Sequence, residues 1–203
     1  MRIIETRKAP NPRRVGIFLA EKGLEVPREE RNLMAGDLKS DDFSALNPRQ
    51  RVPVLVLDDG RVIAESVAIC RYFEEVCPEP ALFGTGSFGK AEVEMWNRRM
   101  ELGLFNAVAS VFRHLHPKMA HLEVPQVEVW GQTNKDKVQL ELAHLDERLA
   151  DSAFIAGDHY SIADITTLVA IDFMKPAGLR APDTFGNVLR WHREVSSRPS
   201  AAV

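Results

Sequence analysis

Two cysteines, Cys70 and Cys77, are all that the 203 residues contain, and they form no C-x-x-C pair. That excludes a disulfide framework and argues against a thiolate zinc site. Cys70 falls within an apolar helical stripe and reads as a small buried hydrophobe. No apolar run approaches the roughly 20 residues that span a bilayer, so no membrane partner is expected. A basic surplus is also lacking. The formal net charge is −3, and Arg13-Arg14 and Arg98-Arg99 are isolated pairs that read as solvated helix positions. Nucleic acid is therefore not an expected partner. Met1 leads almost directly into Ile3-Ile4, which leaves no room for a signal peptide, and the expected compartment is the cytoplasm. Neither an internal repeat nor a low-complexity tract is present.

What is there is ordinary globular composition, 45% hydrophobic and 27% charged, with length enough for one large domain or two small ones. The most informative stretch runs from Asn47 to Glu75. Pro53 to Leu57 is an apolar, β-branched run, Asp58-Asp59-Gly60 is a hairpin turn signal, and Arg61 to Glu65 makes the return strand. Ser66 stands where a helix N-cap belongs, before Val67, Ile69, Cys70, Phe73 and Val76 at helical spacing. Val52, preceding a proline, is biased to an extended backbone with its N–H and C=O free. Glu65-Ser66 puts a carboxylate and a hydroxyl at a helix N-terminus, where exposed N–H groups favour an anion. An extended peptide edge beside an anion-binding corner suits a small peptide with a free α-carboxylate.

The rest of the chain divides in two. Residues 1–78 read as βαβ, a connection, then ββα. The first strand is Arg2 to Glu5, Asn11 reads as the N-cap of the first helix with Pro12 at its first position, and a second strand should cover Arg28 to Leu33. Residues 79–89 carry the prolines and glycines of a linker. Residues 90–203 show only helical patterns: Ala91 to His116, a long helix within Pro125 to Ala150, one opened by the capping box Ser161-Ile162-Ala163-Asp164, and a last one over 184–197. Ser161 and Asp164 read as a folding device. His114, His116 and His121 have no carboxylate pair nearby and are not taken as a metal site.

The block V-P-x-L, hairpin, E-S, together with D-H-Y-S-I-A-D-I, Trp191 and the final S-R-P-S, strongly resembles the soluble glutathione transferases over essentially the whole chain. The resemblance implies an α/β thioredoxin-like N-terminal domain with Pro53 as its cis proline, plus an all-α C-terminal domain. It also implies glutathione as co-substrate, no metal, and a homodimer. By the same match Val52 pairs with the cysteinyl backbone of glutathione, Glu65 and Ser66 hold its γ-glutamyl end, and Lys39, aided by Arg51 or Gln50, holds the glycyl carboxylate.

Any sulfur nucleophile must be brought in, because no cysteine opens the first helix. The hydroxyl of the serine classes is missing as well, since Ala9 holds that position. However, A-P-N-P-R-R-V is similar to the loop of the bacterial Nu-class proteins, in which an asparagine lies at the glutathione sulfur, and Asn11 matches it. The expectation is therefore an enzyme in which Asn11 stabilises a thiolate that attacks a small electrophile. The alternatives are glutathione-dependent disulfide reduction and a glutathione-binding module without catalysis, in which Ala9 marks a lost activity; for Asn11 itself the other reading is that it only caps its helix.

Overall fold

Residues 1–81 with 202–203 form one unit of the computed structural model and residues 82–201 the other, so all 203 residues are described. The first unit runs β1 (Arg2–Glu5), α1 (Pro10–Glu21), β2 (Arg28–Glu30), a 3-10 turn (Asp37–Lys39), α2 (Asp41–Leu46), β3 (Val54–Val56), β4 (Val62–Ala64) and α3 (Ser66–Val76). Its sheet has the order β2-β1-β3-β4, with β2 parallel to β1 and the other neighbours antiparallel, as in thioredoxin-like domains. The period-2 alternation of the strands decides both layers. Ile4, Val54 and Val56 pack with Leu38 and Phe43 on one face. Ile3 and Leu55, one residue out of phase, are fully buried on the other, where α3 meets β3 and β4 and packs against α1.

Two details differ from the sequence reading. β2 stops at Glu30 rather than Leu33, because Asn32 Oδ1 accepts the Met34 and Ala35 N–H groups at 2.9 and 3.1 Å and turns the chain. The connection before β3 contains α2, whose 6 residues with a buried Phe43 are too few to display a helical period.

The second unit comprises α4 (Gly86–Arg99), a π-helical turn (Met100–Phe105), α5 (Asn106–Leu115), α6 (Glu128–Ala150), α7 (Ile162–Met174) and α8 (Gly186–Ser196). α4 starts inside the stretch with linker composition, straight after Thr85, whose backbone is extended at φ −120° and ψ 152°. The helix expected over 91–116 is interrupted by the π turn, where a Cβ at Gly103 would lie 2.7 Å from the Glu141 carboxylate. α7 is buried on nearly every side, as befits the central helix of its unit.

The capping box of α7 forms, with Ser161 Oγ accepting from Ala163 N–H at 3.2 Å and Asp164 Oδ2 accepting from Ser161 N–H at 3.0 Å. Asp164 reaches further than a cap. Its Oδ1 accepts the Ile155 N–H at 3.0 Å and the Trp191 indole N–H at 2.9 Å, and its Oδ2 also accepts the Ser161 hydroxyl at 3.1 Å. This side chain ties three segments of the helical unit together. Burial outweighs these donors and pushes the carboxyl up to about 6.

Candidate functional site

One end of the β3–β4 hairpin brings most of the candidate residues together. The register pairs Val54 with Ala64, so continuing it outward sets Pro53 across from Glu65 and Val52 across from Ser66. The Val52–Pro53 peptide is cis. The Val52 peptide group makes no backbone hydrogen bond and remains available to an added strand. The approach to it is fixed by Asn47, whose Nδ2 donates to the Arg51 carbonyl at 2.8 Å while its Oδ1 accepts the Arg49 N–H at 3.1 Å.

Across the hairpin, Glu65 rather than Ser66 is the N-cap of α3. Its backbone lies at φ 70° and ψ 119°, a left-handed conformation that side chains rarely adopt. Ser66 is thus the first helical residue and its hydroxyl does not cap; among the leading N–H groups of α3, its own lacks an intrahelical acceptor. The exposed Glu65 carboxylate and the Ser66 N–H stand side by side, one suited to a cation and the other to an anion.

The sequence also misplaces the start of α1. The helix begins at Pro10, with Ala9 as an extended N-cap at φ −71° and ψ 143° that contributes no side-chain bond. Pro10, not Pro12, supplies the pre-set φ of the first helical position. Asn11 is therefore not the cap, and its amide is spared for other work. The Ser66 hydroxyl donates to Asn11 Oδ1 at 3.4 Å, and Arg14 Nη1 donates to Ser66 Oγ at 3.0 Å.

This chain has a direction set by its members' chemistry. A guanidinium only donates, so Ser66 must accept from Arg14, and its one proton then goes to Asn11. Asn11 consequently presents its oxygen to Ser66 and turns its NH₂ elsewhere. Arg14 is fully buried, contrary to its reading as a solvated position. A guanidinium one helical turn before Phe18, on the same face, was the available signal, because a buried charge needs partners. Asn47 carried no comparable signal.

The remaining candidates lie apart from this chain. Lys39 is exposed at the end of the Asp37–Lys39 turn and forms no ion pair. Arg51 is exposed, with Nη1 at 3.4 Å from the Gln50 carbonyl. The Cys70 thiol, pushed up to about 12 by burial, is no nucleophile. In the helical unit, His114 Nδ1 and His116 Nδ1 accept the Val127 and Lys118 N–H groups, each at 3.2 Å, which occupies one lone pair of each ring.

Residues 9–76 match the profile described as glutathione S-transferase, N-terminal domain, and residues 119–199 match glutathione S-transferase, C-terminal domain. Glutathione S-transferase 2 of Saccharomyces cerevisiae is 35% identical, over 98% of this chain and 87% of its own. Among solved structures, Gtt2 from S. cerevisiae is similar at a TM-score of 0.94, with 35% identity and 98% of both chains covered. A glutathione S-transferase domain-containing protein of Marinobacter aquaeolei is similar at a TM-score of 0.95, with 39% identity over 98% of this chain and 99% of that one.

Proposed function

Because this chain belongs to the glutathione S-transferase family, we propose that it binds glutathione at the corner of Val52, Pro53, Glu65 and Ser66 and uses Asn11 to stabilise the thiolate. The observation that carries this reading is the directed chain Arg14→Ser66→Asn11, at 3.0 and 3.4 Å. It leaves the Asn11 NH₂ as a donor at the N-terminus of α1, where the helix dipole adds to the stabilisation of a negative sulfur. Glutathione extends along Val52 as an added strand, with its γ-glutamyl amine on the Glu65 carboxylate and its α-carboxylate at the Ser66 N–H. Lys39 and Arg51 supply charge for the glycyl end.

The chemistry follows from what an amide can do. Asn11 donates but takes no proton, so the thiol proton leaves to solvent and the enzyme's task is to hold the thiolate. A free thiol of pKa about 8.5 is only a few per cent ionised at neutral pH. One donated bond plus the dipole lowers it by about one to two units, each worth ~1.4 kcal/mol. The thiolate then attacks an electrophilic carbon, forming the C–S bond as the leaving group departs with the electron pair of its bond. Disulfide reduction is the second reading, and the same fact favours it. A thiolate attacking a disulfide sulfur expels another thiolate, and neither step asks the enzyme for a proton. Two copies are proposed to associate. Phe88, Met95 and Leu102, spaced by seven on α4 and the π turn, are 77%, 41% and 60% exposed and offer an apolar stripe for it.

A titration of bound glutathione, following thiolate absorbance in wild type and Asn11→Ala, tests the reading. A bound pKa well below that of the free thiol, rising in the variant, is expected. Saturable binding with an unshifted pKa would leave a binding module, and no binding would remove the glutathione reading altogether. Turnover of an aryl halide against that of a small disulfide separates the two reactions.

A further inference from the structure

The side of α1 turned away from Asn11 and Arg14 borders a second feature. At 100° per residue, Pro12, Arg13 and Gly16 point roughly opposite to Asn11, Arg14 and Phe18. There they line a cleft of about 530 Å³ together with Glu5, Arg7, Lys8, Arg28, Ala202 and Val203. This volume lies in the range of small-molecule sites. Four side chains of the wall are cationic and one, Glu5, is anionic. Glu5 is already committed, since Arg28 Nη1 holds its Oε2 at 2.6 Å. Arg7 and Lys8 are exposed and form no ion pair. In a chain whose net charge is −3 this is a local excess of the opposite sign.

The walls are held in place before any ligand arrives. The loop carrying Arg7 and Lys8 is closed by Ala9 N–H on the Thr6 carbonyl at 3.1 Å and tied down by the Thr6 hydroxyl on the Arg31 carbonyl at 2.7 Å. Gly16 lets Val203 close against α1, because a Cβ there would meet Val203 Cγ2 at 3.2 Å. A concave wall with a surplus of positive charge focuses its field on whatever enters, and guanidinium forks match the paired oxygens of carboxylates and phosphates.

From the cleft, its charge and its preformed loop we infer that the protein has a second binding site, separate from the corner of Ser66 and Asn11, for a small organic polyanion carrying at least two carboxylate or phosphate groups. The site is independent of the thiol chemistry, since it shares no residue with it. Isothermal titration of the full-length protein at constant ionic strength, with citrate, inorganic pyrophosphate and sodium chloride as three separate probes, tests it. Citrate or pyrophosphate is expected to bind saturably, and chloride is not. Preference between the two probes tells carboxylate from phosphate. Bound probe should move the backbone amide resonances of Lys8 and Gly16.

The double variant Arg7→Gln/Lys8→Gln removes two charge-assisted contacts, and a loss of at least about tenfold in probe affinity is expected, with glutathione affinity unchanged within about twofold. Arg7→Gln alone keeps the test if the double variant folds poorly, and a several-fold loss is then expected. The inference is overturned if neither polyanion saturates, if chloride acts like the polyanions, if the variants bind the probe as wild type does, or if saturating glutathione displaces it. The last result would assign the cleft to glutathione itself.

Discussion

Replacing Glu65 by glycine should make the protein more stable and a poorer binder of glutathione at once. The residue sits at φ 70° and ψ 119°, outside the small left-handed well open to side chains. Holding a non-glycine residue there costs about 1–3 kcal/mol, and glycine adopts it freely. Glycine in turn adds about 0.5–1 kcal/mol of chain entropy to the unfolded state, so a net gain of up to about 2.5 kcal/mol remains. For a chain of 203 residues that raises Tm by about 2–4 °C per kcal/mol. The same change deletes the carboxylate assigned to the γ-glutamyl amine, and glutathione affinity should fall by roughly tenfold, ~1.4 kcal/mol. Glu65→Ala separates the effects, because it loses the carboxylate but keeps the Cβ and therefore the strain. Thermal unfolding and glutathione titration of both variants give four numbers. A Tm for Glu65→Gly at or below that of Glu65→Ala would refute the strain argument. Unchanged affinity in both would refute the assignment of the carboxylate.

Asp164, raised from 3.8 to about 6, binds its proton more tightly folded than unfolded. Its contribution to stability is therefore complete below about pH 4 and is lost as pH rises through about 6, a change of order 3 kcal/mol; urea unfolding from pH 4 to 7 should show this slope, and Asp164→Asn should lack it. Lys22 Nζ lies 2.5 Å from Glu74 Oε2 and 3.1 and 2.5 Å from the Pro78 and Pro80 carbonyls, with its side chain fully buried. Lys22→Met takes the buried cation away from this carboxylate and should cost about 3–5 kcal/mol, with most of it recovered in Lys22→Met/Glu74→Leu. Arg14→Met frees Ser66 from its donor and lets the Asn11 amide rotate, so the pKa of bound glutathione should rise by about one unit. If the pKa moves in Asn11→Ala but not in Arg14→Met, the hydrogen-bond chain does not orient the amide.

The two-part architecture was legible because its signals are local or periodic. Pro53 to Leu57, the Asp58-Asp59-Gly60 turn and the apolar spacing of α3 announce a hairpin followed by a helix. The Ser161–Asp164 box marks the start of α7 to the residue. At the site itself, precision failed where a long-range contact outranked a local preference. Asn11 and Ser66 are both good N-cap residues, and the local reading placed both as caps. In the fold each is inside its helix, because their side chains bond to each other across 55 residues of sequence. Arg14 misled in the same way, since beside Arg13 it looks like surface charge, whereas its partner Ser66 lies 52 residues away. A residue that could cap its own helix but bonds to another one is released from a folding role. Here that release occurs at Asn11 and Ser66 together, and only the pairing of α1 with α3 reveals it.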